Sequence, residues 1–268
     1  KICLEPKHIQ AFKTHISSAK RPLIMVENTH LKAFDYEVLL KTKIPVIADS
    51  QAPAWQQGVL AHMSDYLLEL NPDCVIQIGS RFICKAYEQL KVKGGITWVY
   101  LSFFEDPSNI GHTNTLELHI SQDDLKALFN LDHPFCDPTW LTLCQQKEVE
   151  AFKKQAHFRD KYPQSEDQFV YTVLEAIPKD WALFVSNSLL VRQVNQQYSF
   201  KLLKGPVFFN RGLSGIDGTT ATAAGISFLK PCVLLTGDLS FLYDLHVLKV
   251  ISEKQLPIVI VVMNNKGG

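Results

Sequence analysis

Two short apolar runs, separated by one helical segment, occupy the carboxyl-terminal part of the sequence. Residues 232–236 and 258–263 are apolar and have the length of buried strands. Residues 241–254, between them, repeat apolar side chains at helical spacing, which predicts one helix. A strand–helix–strand unit of this kind has parallel strands and a right-handed crossover. The chain is therefore expected to form a parallel sheet here, with both strands ending at the same edge.

Polar residues follow both strands at that shared edge. Gly237 and Asp238 come after the first strand, and Asn264 and Asn265 come after the second. Open α/β sheets bind ligands at the carboxyl ends of their strands, and a helix beginning there favours a diphosphate. The Asp238 carboxylate, the Asn265 amide oxygen and the Gly267 carbonyl are hard oxygen donors that suit Mg²⁺, or Mn²⁺ in its place. Either motif alone is also typical of a turn, but the two at this spacing favour a metal site.

Further strands and helices alternate along the rest of the chain, and residues 60–70 are one of the predicted helices. This alternation indicates an α/β fold with two three-layer domains, in which mostly parallel sheets carry helices on both faces. We expect a first domain over residues 1–138, a linker helix over residues 139–159 and a diphosphate-binding domain over residues 160–268. No Gly-x-Gly-x-x-Gly follows any predicted strand, so dinucleotide binding has little support.

Composition excludes several classes of function. The 268 residues include 27 basic and 27 acidic side chains and no long basic run, which disfavours a nucleic-acid partner. The six cysteines form no Cys-x-x-Cys pair, so a zinc site has little support, and several lie in apolar strands as reduced thiols would. Neither a signal peptide nor an uninterrupted membrane span is visible, which indicates a cytoplasmic protein.

The polar strand ends also carry a family resemblance. Gly-Asp-Leu-Ser at residues 237–240, followed by Asn264-Asn265, resembles the thiamine-diphosphate motif of the decarboxylase and synthase superfamily. The runs at residues 210–218 and 238–245 resemble the 2-succinyl-5-enolpyruvyl-6-hydroxy-3-cyclohexene-1-carboxylate synthases of menaquinone and phylloquinone biosynthesis. The resemblance is specific over residues 186–268 and only general before them. It implies that both domains have the thiamine-diphosphate-enzyme fold and that the first is the family's central, nucleotide-fold-like domain.

The resemblance implies an enzyme, a transferase that depends on thiamine diphosphate and magnesium. Members of this family act as carboligases: they decarboxylate 2-oxoglutarate and add the resulting succinyl carbanion equivalent to isochorismate. The implied cofactor-binding residues are Ile216, Gly237, Asp238, Leu239, Ser240 and Asn265. The implied substrate-binding residues are Ser188, Arg192, Arg211 and Lys85. Guanidinium groups suit carboxylate-rich substrates because they bind a carboxylate through two parallel hydrogen bonds.

The family's activating glutamate lies on an amino-terminal domain that these residues do not contain. No catalytic residue is therefore expected in this stretch, and a homodimer or homotetramer is implied, since a partner subunit normally supplies that domain. The chain begins at Lys1 without a methionine and ends at Gly268 inside a glycine-rich loop. We accordingly expect a fragment of a longer polypeptide, truncated within its diphosphate-binding domain and inactive alone.

Plainer interpretations stay open for single residues. Arg192 is equally typical of a solvated helix surface, and Arg211 and the run at residues 214–218 are typical of turns, with Asp217 as a helix cap. Two other functions compete with the preferred one. The first is an acetolactate-synthase-like enzyme, which the run at residues 210–218 disfavours. The second is a non-catalytic module that binds a cofactor or nucleotide for regulation.

Overall fold

A computed structural model describes residues 4–27, 31–50, 52, 58–79, 82–103, 115–130, 136–197, 205–211 and 214–267. The chain divides into two compact units, Lys1–Lys154 and Gln155–Gly268. Each unit contains a parallel sheet with helices packed on it, which confirms the α/β class and the two-domain organisation of the fold. The long helix α6 (Pro138–Lys161) covers the predicted linker, and the division between the two units falls within its sequence, after Lys154.

The first unit is built around five parallel strands in the order β2-β1-β3-β4-β5. The strands are β1 (Pro22–Val26), β2 (Val46–Ala48), β3 (Cys74–Ile78), β4 (Thr97–Ser102) and β5 (Thr115–His119). The helices of this unit before α6 are α1 (Pro6–Ser17), α2 (Ala33–Lys41), α3 (Met63–Leu70), α4 (Lys85–Lys91) and α5 (Gln122–Phe129). Every residue of β1, β2 and β3 is buried, as parallel strands covered on both faces require.

A partly buried carboxylate from α6 fixes the chain before α3. Glu148 accepts hydrogen bonds from the backbone N–H groups of Ala61 (2.9 Å) and His62 (3.1 Å). It also binds His62 Nδ1 (2.7 Å) and accepts from the Tyr66 hydroxyl (2.6 Å). Burial opposes ionisation of Glu148, but its hydrogen bonds with His62 and Tyr66 outweigh burial and lower the pKa of this carboxyl.

The helix predicted over residues 60–70 is therefore three residues too long. Leu60 forms a parallel bridge with Ile47, and the next two backbone N–H groups bind Glu148, so α3 begins only at Met63. Apolar periodicity did not reveal this difference because Glu148 is distant in sequence.

The second unit contains four parallel strands in the order β7-β6-β8-β9. They are β6 (Ala182–Val185), β7 (Val207–Phe209), β8 (Cys232–Gly237) and β9 (Ile258–Met263). The helices are α7 (Glu166–Ala176), α8 (Leu189–Gln197), α9 (Thr219–Ser227), α10 (Asp238–Tyr243) and α11 (Val247–Lys254). The chain leaves β6 for β7 on one side and then returns to β8 on the other. The carboxyl ends of β6 and β8 therefore flank a topological switch point, where sheets of this kind bind ligands.

The single helix predicted over residues 241–254 is wrong, because the structure contains two helices there. Asp244, only 4% exposed, adopts a non-helical backbone conformation between α10 and α11. Its carboxylate accepts from the backbone N–H groups of Gly218 (3.0 Å) and Thr220 (2.8 Å) at the start of α9. One interpretation of the sequence had Asp217 capping α9, but the cap residue is Gly218, and Asp244 accepts from the N–H groups at the start of the helix.

Among the described residues, no helix combines the length and apolar content needed to cross a membrane. The cysteines within those residues are free and buried: Cys74, Cys84, Cys136, Cys144 and Cys232. Burial raises the pKa of the Cys74 thiol to about 12, so it stays protonated at neutral pH. The sixth, Cys3, lies outside the described residues.

Candidate cofactor site

The ends of β8 and β9 are joined directly by one of the predicted metal ligands. Asp238 begins α10 immediately after β8, and its Oδ2 accepts from the backbone N–H of Gly267, 2.8 Å away. Its Oδ1 accepts from the N–H of Leu239 at 2.7 Å. The predicted ligands Asp238 and Gly267 are therefore neighbours in space. Since each carboxylate oxygen has two lone pairs, Asp238 keeps acceptor capacity for a cation.

The loop that brings Gly267 to Asp238 has an unusual backbone. Lys266 has φ +71° and Gly267 has φ +85°, so both adopt the left-handed conformation. Glycine has no steric penalty there, whereas lysine does. Lys266 donates its N–H to Asn264 Oδ1 at 3.1 Å, which stabilises the turn. The glycine at position 267 is thus explained by conformation, because a Cβ there would meet no atom within 4 Å.

Asn265, the third predicted ligand, is held by an acidic side chain that the sequence interpretation did not single out. Its Nδ2 donates to Glu166 Oε1 at 3.1 Å. Glu166 lies in the first turn of α7, far away in sequence, and its Oε2 accepts from Gln193 Nε2 on α8 at 3.0 Å. The amide of Asn265 therefore uses its nitrogen for this contact and leaves its oxygen available.

The predicted cofactor residues Ser240 and Ile216 contact each other. The Ser240 hydroxyl, on the buried face of α10, donates to the Ile216 carbonyl at 2.8 Å. Thr219 donates its hydroxyl to the same carbonyl at 2.9 Å. Residues 238–245 therefore bind the chain around Ile216 at two places. Ser240 binds the Ile216 carbonyl, and Asp244 binds the N–H groups of Gly218 and Thr220. In this arrangement the Ser240 side chain positions Ile216, so a direct cofactor contact from Ser240 would have to come from its backbone.

A buried asparagine organises the other side of the switch point. Asn187, 4% exposed, follows β6 and donates through Nδ2 to the carbonyls of Asn210 (2.7 Å) and Gly215 (2.6 Å). Its Oδ1 accepts from Arg211 Nη1 at 3.2 Å. The residue therefore fixes both the loop after β7 and the predicted substrate-binding arginine. The sequence did not reveal this role of Asn187, because it depends on partners more than twenty residues away.

The remaining predicted substrate residues are exposed. Ser188 has φ +71° and turns the chain from β6 into α8, and Arg192 lies on the exposed side of that helix. Lys85 begins α4 in the first unit and is also exposed. Arg211, Ser188 and Asp238 follow three adjacent parallel strands, as predicted for a ligand crevice. The binding roles themselves stay predictions.

The donor set fits a hard cation better than a transition metal. In the part of the chain that the structure describes, no group of three or more His, Cys, Asp or Glu side chains could hold a metal ion. The predicted set instead comprises one carboxylate, one amide oxygen and one backbone carbonyl. Oxygen-only coordination with places left for water and phosphate is what Mg²⁺ requires. The residues present therefore fit the implied group.

Comparison with known proteins identifies the second unit. Residues 191–267 match the family described as "Thiamine pyrophosphate enzyme, C-terminal TPP binding domain". Residues 191–267 are therefore similar to the cofactor-binding domain of thiamine-diphosphate-dependent enzymes. The match includes the ends of β8 and β9, so the contact between Asp238 and Gly267 lies within the matched residues.

Similarity to individual enzymes extends over both units. The chain is 28% identical over 265 residues to a protein of Leuconostoc mesenteroides subsp. mesenteroides, covering 94% of this chain and 46% of that one. It is 28% identical over 300 residues to one of Chlorobium chlorochromatii, covering 98% and 48%. It is 43% identical over 156 residues to one of Serratia proteamaculans, covering 57% and 25%. All three are named 2-succinyl-5-enolpyruvyl-6-hydroxy-3-cyclohexene-1-carboxylate synthase, which confirms the resemblance.

The alignments also show what fraction of each relative's length this chain covers. The chain spans about half the length of the curated relatives that it matches most completely.

Proposed function

We propose that this chain is part of a thiamine-diphosphate- and magnesium-dependent carboligase of menaquinone or phylloquinone biosynthesis. In this proposal the enzyme decarboxylates 2-oxoglutarate and adds the succinyl unit to isochorismate. The observation that carries the proposal is the Asp238–Gly267 contact, which pairs two oxygen-bearing residues at adjacent strand ends inside the matched domain. The names of the relatives, which specify a succinyl-bearing cyclohexene carboxylate as product, support the choice of substrates.

The cofactor would be held at the carboxyl ends of β8 and β9. Asp238, Asn265 and the carbonyl of Gly267 would bind Mg²⁺, which neutralises the diphosphate. Gly237, Leu239 and Ser240 would contribute their backbone beside it, and Ile216 would contact the cofactor from its loop, where Ser240 and Thr219 hold its carbonyl. When bound, thiamine diphosphate supplies the electron sink for decarboxylation, while the protein supplies orientation and electrostatics.

The substrates would be bound on the β6–β7 side of the switch point. Arg211 and Arg192 would bind substrate carboxylates. Ser188, in the turn between β6 and α8, would donate a hydrogen bond to the substrate. Asn187 holds the Arg211 guanidinium through its Oδ1, so less side-chain freedom is lost when a carboxylate binds. Lys85 is assigned to substrate by the family resemblance alone.

The complete enzyme would act in the cytoplasm as a homodimer or homotetramer. The resemblance implies that the activating glutamate lies in an amino-terminal domain, so we assign no catalytic residue within residues 1–268. The proposal accordingly expects the isolated stretch to show no carboligation and only weak cofactor binding. Turnover by residues 1–268 alone would contradict this division of roles.

The deciding experiment is an assay of the complete purified protein with Mg²⁺, thiamine diphosphate, 2-oxoglutarate and isochorismate. Formation of the succinyl-bearing cyclohexene product, dependent on both Mg²⁺ and thiamine diphosphate, is the expected result. A parallel reaction with pyruvate as the only oxoacid tests the acetolactate-synthase-like alternative. Acetolactate formation without the cyclohexene product would overturn the proposed substrates, and failure to bind thiamine diphosphate would overturn the enzyme assignment.

A further inference from the structure

Glu166 links the start of α7 to two amide side chains. Its Oε1 accepts from Asn265 Nδ2 after β9, and its Oε2 accepts from Gln193 Nε2 on α8. Both carboxylate oxygens are therefore occupied by different amides. Gln193 is 7% exposed, and its Oε1 has no hydrogen-bond partner within the described part of the chain. Glu166 has received no functional role from sequence motifs or from the family match, which begins at residue 191.

The chemistry of a carboxylate determines how both amides are oriented. An ionised glutamate accepts hydrogen bonds and donates none, so each amide must turn its NH₂ group toward Glu166. The reverse orientation of Asn265 would place its carbonyl oxygen against the carboxylate and lose the hydrogen bond. Asn265 is itself exposed, so little else in its surroundings restricts its amide. The Glu166 contact therefore selects the rotamer in which Asn265 Oδ1 faces away from α7.

We propose that Glu166 is a positioning residue for the cation of the cofactor site. By holding Asn265 Nδ2, it keeps Asn265 Oδ1 as the atom available to Mg²⁺ and prevents the NH₂ group from facing the ion. An NH₂ group cannot ligate a cation, so a freely rotating amide would spend part of its time in a non-binding orientation. This inference rests on the proposed role of Asn265 as a metal ligand.

Two other roles for Glu166 predict different behaviour. If it only ties α7 to α8 through Gln193, its loss should lower stability without a specific effect on the cation. If its charge alone attracts Mg²⁺, its effect should persist when Asn265 cannot act as a ligand. The positioning role predicts that its effect on cation affinity passes through Asn265 and disappears with the Asn265 amide.

The test is a double-mutant cycle on the complete protein, with Mg²⁺ affinity measured by calorimetry at saturating thiamine diphosphate. Glu166→Ala removes the acceptor and is expected to weaken Mg²⁺ binding by about 10- to 100-fold, as is typical when a group orienting a metal ligand is removed. In the Asn265→Ala background the same change is expected to have no further effect. Glu175→Ala is the matched control: Glu175 is exposed and lies about two and a half turns along α7, on the opposite side.

The outcomes separate this inference from the proposed function. If Asn265→Ala weakens Mg²⁺ binding and Glu166→Ala does not, the positioning role is wrong while the metal site stands. An equal loss from Glu166→Ala in both backgrounds would show a charge effect and would also overturn it. Unchanged Mg²⁺ affinity in Asn265→Ala would remove the metal-ligand assignment, and the positioning role would fall with it. Thermal unfolding of each variant shows whether a loss of fold accounts for the change.

Discussion

Two carboxylates, one in each unit, illustrate the difference between an acid that stabilises the fold and one that we propose binds a cation. Glu148 in the first unit accepts from two backbone N–H groups and one hydroxyl, binds an imidazole, and is largely buried. Asp238 in the second unit accepts only two backbone N–H groups and lies at a strand end beside exposed residues. A saturated carboxylate stabilises the fold, whereas one with remaining lone pairs at an open edge is available to a cation.

The largest effect expected is from Asp238→Ala. A hard dication loses its only carboxylate ligand, so Mg²⁺-dependent binding of thiamine diphosphate should weaken by more than about 100-fold, beyond the cost of losing an orienting group. Calorimetry on the complete protein measures this. Asp217→Ala, in an exposed loop of the same unit, should leave affinity unchanged. If Asp238→Ala binds the cofactor normally, the contrast between the two carboxylates has no functional meaning.

Glu148→Gln should have the opposite effects to Asp238→Ala: it should lower stability and leave cofactor binding unchanged. The amide cannot accept from all four donors, so a buried donor is left unsatisfied and unfolding should become easier by about 2–3 kcal/mol. Hydrogen exchange of the Ala61 and His62 amides, which donate to Glu148, locates the change. Unaltered protection of those two amides would show that the cluster contributes little to stability.

Arg211→Ala tests the proposed substrate-binding residues on the β6–β7 side of the switch point. Removing one partner of a desolvated charge pair costs roughly 2–5 kcal/mol, so kcat/KM should fall by about 30-fold or more. Affinity for thiamine diphosphate should persist, because Arg211 lies at the β7 end rather than at β8 or β9. Steady-state kinetics with each substrate varied in turn checks this. Wild-type kinetics for both 2-oxoglutarate and isochorismate would reject the carboxylate-binding role.

The smallest effect expected is a local pH dependence of the Glu148 cluster. Because the folded protein lowers the pKa of Glu148, the stabilisation is present above the ordinary glutamate pKa of about 4.3 and is lost as the pH falls through the lower folded value. Above that pH range, the amides of Ala61 and His62 should therefore exchange more slowly in the unsubstituted protein than in the Glu148→Gln variant. In acid the two exchange rates should converge. A difference that stays constant with pH would exclude the Glu148 carboxylate as its cause.

The sequence by itself determined the fold class and which strand ends carry the residues of the candidate site. Apolar runs of strand length alternating with helical periods require parallel strands, and parallel strands bring their following residues to one edge. Asp238 and Gly267 were accordingly predicted as neighbours and are hydrogen-bonded. The family resemblance came from the same strand-end residues, because a metal–diphosphate site restricts both their chemistry and their spacing.

Only the tertiary structure decided which polar groups satisfy one another across long sequence separations. Asp244 ends α10 because its carboxylate binds the start of α9. The helix α3 begins later than predicted because Glu148 binds the two N–H groups that precede it. Likewise, Asn187 holds Arg211 and Glu166 holds Asn265, although nothing in either local sequence indicates the partner. Periodicity records which face of an element is apolar. The pairing of buried donors with acceptors depends instead on which elements fold together.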